Sequence, residues 1–166
     1  MNRKTLILYY SLDGNCKFVA DELANNLEGE VDTLRIEPKK DITGGKFKRY
    51  FWGGAQVFMK KEPEIKPINL DLDDYANIII GTPVWAWTFS PPIRSFLNLY
   101  PLTDKKIALY SCHGGQLGKT INDMRNYLQN NTIVSEMDFF EPATKDSEVN
   151  KKTIAKWAQK LQKVLS

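Results

Sequence analysis

Three short stretches of this chain carry residues that could do chemistry, and each follows an apolar run. The first is Ser11-Leu12-Asp13-Gly14-Asn15-Cys16, between Leu6-Ile7-Leu8-Tyr9-Tyr10 and a helical spacing of Val19, Leu23 and Leu27. That order reads as strand, tight loop, helix. A loop opening into a helix leaves several N–H groups unpartnered at the positive end of the helix dipole, a ready seat for a phosphate. Asp13 works against an anion there. Two unit charges about 4 Å apart repel by about 4 kcal/mol at an effective dielectric near 20, more than one good hydrogen bond returns. Asp13 is therefore expected to turn its carboxylate outward or to cap backbone N–H groups. Ser11, Asn15 and the main chain are left to hold the anion, with Lys17 offsetting part of the repulsion. Capping alone, by Asp13 or Asn15 and with no ligand, is the competing reading.

The second stretch is Gly81-Thr82-Pro83-Val84-Trp85-Ala86-Trp87-Thr88, after the apolar run Ile78-Ile79-Ile80. Proline fixes a turn, and two tryptophans one residue apart stand where a core strand has ended, so at least one is expected to face a cavity or solvent. The third is Ser111-Cys112-His113-Gly114-Gly115-Gln116-Leu117-Gly118, after Ile107-Ala108-Leu109-Tyr110. Its paired glycines let backbone N–H groups approach the edge of a flat ligand. His113 is the only histidine of the chain, and no metal-binding cluster accompanies it in sequence. Cys16 and Cys112 would be reactive if their thiolates faced a helix N-terminus; small packed thiols are the commoner outcome.

The elements that position these stretches follow from periodicity. Val31–Ile36, Asn77–Thr82, Lys106–Ser111 and a less regular segment within Thr132–Phe140 read as four further strands, with Pro38 closing the first of them. Ser90-Pro91-Pro92 supplies a capping residue and first-turn proline ahead of an apolar face of Ile93, Phe96, Leu97 and Tyr100. Ile154, Trp157, Ala158, Leu161, Val164 and Leu165 repeat the pattern at the C-terminal end. Five strands alternating with helices predict a doubly wound α/β domain with a parallel sheet covered on both faces. In such a sheet a ligand lies outside the carboxyl ends of the strands, where strand order reverses. All three stretches fall there.

The chain has 166 residues, 42% of them hydrophobic, which suffices for one full core without staples. A single domain over residues 1–166 is expected. Two cysteines far apart in sequence give little support to a disulfide and fit a reducing cytoplasm. No run approaches the roughly 20 apolar residues of a membrane span, and the N-terminal run is too short for a signal peptide, so a soluble, unprocessed protein is expected, with no membrane partner. A net charge of +3 is too mild to argue for nucleic acid. The charge is unevenly spread: residues 39–61 hold Lys39, Lys40, Lys46, Lys48, Arg49, Lys60 and Lys61 against one acid, Asp41. Within this segment Phe47, Tyr50 and Phe51 read as the sheet-facing side of a helix whose cations face water, a surface fit for docking an acidic redox partner.

The first loop resembles the phosphate loop of flavodoxins, written [ST]-x-T-G-x-T, in which side chains and amides wrap the terminal phosphate of FMN. Ser11, Gly14 and Asn15 match it, while Asp13 and Cys16 stand in place of threonines. Thr82-Pro83-Val84-Trp85 and the later Pro91-Pro92-Ile93-Arg94 followed by Phe96 are similar to the same family. The resemblance implies strand order 2-1-3-4-5 and an FMN held by Ser11, Leu12, Asp13, Gly14, Asn15 and Cys16, by Thr82, Pro83, Val84, Trp85, Ala86 and Trp87, and by Ser111, Cys112, His113, Gly114 and Gly115. An aromatic of the second stretch, Trp85 ahead of Trp87, would stack on the flavin and contribute on the order of 1 kcal/mol beyond area burial. Many flavodoxins carry a second stacking aromatic in the third loop; here only His113 is available, which implies one open flavin face. The implied function is electron transfer, with an FMN-dependent oxidoreductase passing hydride from NAD(P)H to a quinone-type acceptor as the alternative. A relative without cofactor that binds a partner protein is a further alternative. Flavodoxins are usually acidic, and this chain, with pI ≈ 8.7, departs from them. A rival of another class is the run His113–Thr120, one residue away from the nucleotide-binding loop G-x-x-x-x-G-K-[ST], its first glycine replaced by His113.

Overall fold

In the computed structural model, which describes residues 4–40 and 62–166, six strands and four helices are laid along the chain. They are β1 (Lys4–Tyr9), α1 (Asn15–Asn26), β2 (Val31–Arg35), β3 (Tyr75–Trp85), β4 (Thr88–Phe89), α2 (Pro91–Leu99), β5 (Lys106–His113), α3 (Thr120–Tyr127), β6 (Thr132–Phe140) and α4 (Ser147–Leu165). The helix expected around residues 44–54 lies outside the described residues.

Five strands form one parallel sheet in the order β2-β1-β3-β5-β6. This is the doubly wound α/β arrangement with the expected succession. One element is additional: the two residues of β4 fold back antiparallel on the end of β3, pairing Val84 with Phe89 and Trp85 with Thr88. The sheet is apolar on both faces because its central strands alternate between two cores. Leu6, Leu8, Ile78, Ile80, Ile107 and Leu109 face Ile93, Phe96 and Leu97 of α2 and Met124 of α3. Ile7, Ile79, Ala108 and Tyr110 face Val19, Ala20 and Leu23 of α1 and Ile154, Trp157, Ala158 and Leu161 of α4. Of the apolar face expected on α4, Val164 alone turns outward, at 41% exposure.

Two close approaches fix the middle of the sheet. Gly81 lies beneath the ring of Tyr110, so near that a Cβ would sit 1.9 Å from Cζ. The Tyr110 hydroxyl then donates to the Cys16 carbonyl at 2.9 Å, tying β5 to the first turn of α1. Burial pushes the Tyr110 phenol well above its usual range. No helix among the described residues is long and apolar enough to cross a membrane.

Candidate functional site

After β1 the chain keeps its direction for one residue, Tyr10 N–H donating to Gly81 O at 3.2 Å, and then turns through Ser11–Gly14 into α1. Gly14 caps the helix at φ 91°, where a Cβ would meet nothing within 4 Å; the demand for glycine is one of backbone conformation, not of space. Asp13 is exposed and its Oδ1 accepts from Asn15 N–H at 3.1 Å. Of the two placements expected for that carboxylate, the fold adopts the cap. Ser11 is buried, and its Oγ has no hydrogen-bond partner among the described residues. Its carbonyl accepts from Arg35 Nη2 at 2.7 Å, which brings a guanidinium from the end of β2 onto the loop. Lys17, expected to offset Asp13, is instead paired with Asp21 one turn along α1 at 2.5 Å. Asn15 Oδ1 accepts from Ala143 N–H at 3.0 Å, so this side chain links α1 to the segment after β6.

Leu12 is half-buried against the α2-side core, and Cys16 is fully buried on the α1 side. The Cys16 thiol hydrogen-bonds Cys112, and burial raises its pKa well above the ordinary value. The two cysteines are thus packed, unbridged thiols.

The second stretch is mostly strand, contrary to the expectation of a loop from Gly81. β3 continues to Trp85, with Thr82 paired to Ser111 and Pro83 to Cys112. β1 pairs with β3 only as far as Tyr9 with Gly81, so Pro83 lacks a neighbour on that side and its missing N–H breaks no ladder there. Thr82 Oγ1 accepts from Ser90 N–H at 3.0 Å, a tie from β3 to the N-cap of α2. The loop proper is Ala86-Trp87, both left-handed at φ 47° and 65°, which joins β3 to β4. Such hairpin turns normally carry glycine or asparagine, and residues with a Cβ are strained there. The strain is held from outside: Lys119 N–H donates to Trp87 O at 2.7 Å, and Gly118, at φ 60°, lies so close that a Cβ would fall 2.4 Å from that oxygen. The run resembling a nucleotide-binding loop therefore seats the Trp87 turn, and its Thr120 hydroxyl donates to Leu117 O at 2.7 Å.

The tryptophans divide their roles. Trp85 is 5% exposed and stands edge-on to Tyr10, ring centroids 5.6 Å apart, while Trp87 is 64% exposed. The free aromatic face belongs to Trp87, the tryptophan ranked second from sequence.

The third stretch is likewise strand up to His113, which pairs with Phe140. Ser111 is buried with its Oγ unpartnered among the described residues. His113 has the carboxylate that its sequence neighbourhood lacks: Nε2 lies 3.2 Å from Asp138 Oδ2 on β6. Its carbonyl accepts from Glu141 N–H at 2.9 Å, and the Glu141 carboxylate lies over Gly114, 3.3 Å from where a Cβ would be.

These elements enclose a cavity of about 560 Å³ at the carboxyl ends of β1, β3 and β5. Asp13, Asn15, residues 83–87 and residues 112–116 line it, together with Glu141. Ser11, Leu12, Gly14, Cys16, Thr82 and Ser111 lie behind that lining. Gln116, Glu141 and Arg35 are additions that sequence reasoning missed. Gln116 directly follows the glycine pair. Arg35 and Glu141 are brought in by strand pairing, for which the sequence holds no local signal.

A family model described as Flavodoxin matches residues 4–161. No curated protein matches the chain. Among solved structures, a flavoprotein in complex with FMN from Lactobacillus acidophilus is 22% identical, with a TM-score of 0.69 over 91% of this chain and 99% of that one. Oxidised Flavodoxin 2 from Bacillus cereus is 19% identical, with a TM-score of 0.61 over 94% and 95%. The flavodoxin, WrbA-like protein from Agrobacterium tumefaciens is 14% identical, with a TM-score of 0.61 over 99% of each chain. At such identities these likenesses speak for the fold, and the family follows from the match over nearly the whole sequence: the chain belongs to the flavodoxin family.

Proposed function

We propose that the protein binds FMN in this cavity and works as an electron-transfer flavoprotein. The observation that carries the reading is the cavity at the carboxyl ends of β1, β3 and β5, with an exposed tryptophan at its rim and an open helix N-terminus beneath. The residues fit the cofactor. Behind the lining, Ser11 Oγ and Ser111 Oγ are buried hydroxyls without partners, the kind of group that a polar ligand satisfies. Ser11, the α1 N–H groups and Arg35 would hold the phosphate, Trp87 would cover one ring face, and Cys112–Gly115 would meet the ring edge. When bound, FMN supplies one- and two-electron chemistry; the protein sets orientation, access and potential. The Lactobacillus acidophilus relative in complex with FMN supports the choice of cofactor.

The partner in this reading is a redox protein, with acidic character favoured by the cations of residues 39–61. Free thiols at Cys16 and Cys112 favour the reducing cytoplasm. A second reading, an FMN-dependent NAD(P)H oxidoreductase, is favoured by one observation: at Gly115 a Cβ would meet nothing within 4 Å, so that side of the cavity is open to a flat donor. Stopped-flow mixing of the FMN-loaded protein with NADH or NADPH separates the two. The carrier reading expects slow bleaching of flavin absorbance unless a reductase partner is added; rapid direct bleaching contradicts it.

A further inference from the structure

His113 is anchored from behind. Its Nε2 lies 3.2 Å from Asp138 Oδ2. Asp138 lines a neighbouring depression, whereas His113 itself lines the main cavity. An ionised carboxylate only accepts, so this contact places the ring proton on Nε2, and in a neutral imidazole the other nitrogen is then an acceptor. Nδ1 is buried and has no hydrogen-bond partner among the described residues. An orphaned acceptor of this kind in a cavity wall calls for a donor on whatever fills the cavity. Gly114 and Gly115 follow directly, past the end of the β5 ladder, and none of the recorded backbone hydrogen bonds engages their N–H groups. The wall thus combines one side-chain acceptor with backbone donors. Its complement is a ring edge with an N–H between two carbonyls, a cyclic imide.

We propose that His113, fixed by Asp138, is the specificity-determining acceptor of the cavity and selects a planar ligand through its imide N–H. The proposal rests on the FMN reading above, since the isoalloxazine ring carries such an edge at N3. Asp138 is a positioning residue: it sets the tautomer and does not touch the ligand.

The test uses apoprotein at pH 8, above the usual imidazole range, titrated with FMN and with N3-methyl-FMN by flavin fluorescence. Methylation should weaken binding about tenfold or more in the wild type, the consequence of leaving a buried acceptor unpaired. In His113→Leu the two flavins should bind within about threefold of each other. Because the chain has one histidine, its imidazole ¹⁵N resonances need no assignment, and the FMN complex should show the Nε2–H tautomer. Equal affinity of the wild type for both flavins overturns the proposal while leaving the FMN reading intact. A penalty undiminished in His113→Leu, or an Nδ1–H tautomer in the complex, also overturns it. Failure of both flavins to bind overturns the FMN reading and this proposal together. If His113→Leu does not fold, the wild-type flavin pair and the tautomer still decide.

Discussion

Asp13→Asn offers a test in which stability and ligand affinity move in opposite directions. The substitution keeps the Oδ1 acceptor that caps Asn15 N–H at 3.1 Å and removes only the charge. An anion seated on the neighbouring N–H groups would lie about 5 Å from that carboxylate. Coulomb repulsion at this distance is about 3 kcal/mol at an effective dielectric of 20 and about 0.8 kcal/mol in water. Asp13 is exposed, so a value between these, about 1–2 kcal/mol, applies. FMN should bind about 5- to 30-fold more tightly to the variant. The apoprotein should lose about 0.3–1 kcal/mol, because a negative charge at a helix N-terminus is favourable when no ligand competes for it. Fluorescence titration in low salt and in 1 M salt, where the Debye length is about 3 Å, should show the gain in affinity shrinking. Riboflavin, which lacks the phosphate, should bind both proteins equally. Unchanged FMN affinity, or an equal gain for riboflavin, would refute the placement of the phosphate at this loop.

Trp87→Ala should weaken FMN binding by about 1 kcal/mol in the same titration with little change in urea midpoint, because this ring is 64% exposed. Trp85→Ala should do the reverse, with about 3–5 kcal/mol lost from urea unfolding, since its buried ring packs on Tyr10. Gly81→Ala should lower stability by roughly 3 kcal/mol, as the new Cβ would stand 1.9 Å from Tyr110 Cζ in a core that has no room to yield. Alkaline pH should destabilise the fold: Tyr110 is held well above its usual pKa by burial, and Tyr75 is raised to about 12 by burial and its hydrogen bond to Asp32. In the unfolded chain both ionise near 10, so the unfolded state releases protons that the fold retains. Stability present below pH 10 should therefore fall as pH rises, by up to about 1.4 kcal/mol per pH unit for each tyrosine, and Tyr110→Phe should flatten the slope.

Much of the scaffold could be read from the residues. The β1–loop–α1 unit is local: apolar run, glycine and helical spacing agree with one another, and the fold follows them. Strand ends were harder. Pro83 signals a break, yet β3 runs on to Trp85 because β1 has already ended beside it. The Ala86-Trp87 turn lacks a glycine or asparagine; the clamp from Gly118 and Lys119, more than thirty residues away, imposes it. The exposure of the two tryptophans was misjudged for the same reason, since the turn decides which ring faces outward. Arg35, Asp138 and Glu141 reach the site or its neighbours through strand register, a non-local property that no single segment encodes.

Amide ¹H–¹⁵N spectra of the labelled apoprotein, recorded before and after one equivalent of FMN, test the binding site most directly. Shifts should concentrate on residues 11–16, 83–87, 112–116 and Glu141, the loops and walls of the cavity. Spectra that FMN leaves unchanged, or shifts centred away from the carboxyl ends of β1, β3 and β5, would contradict it.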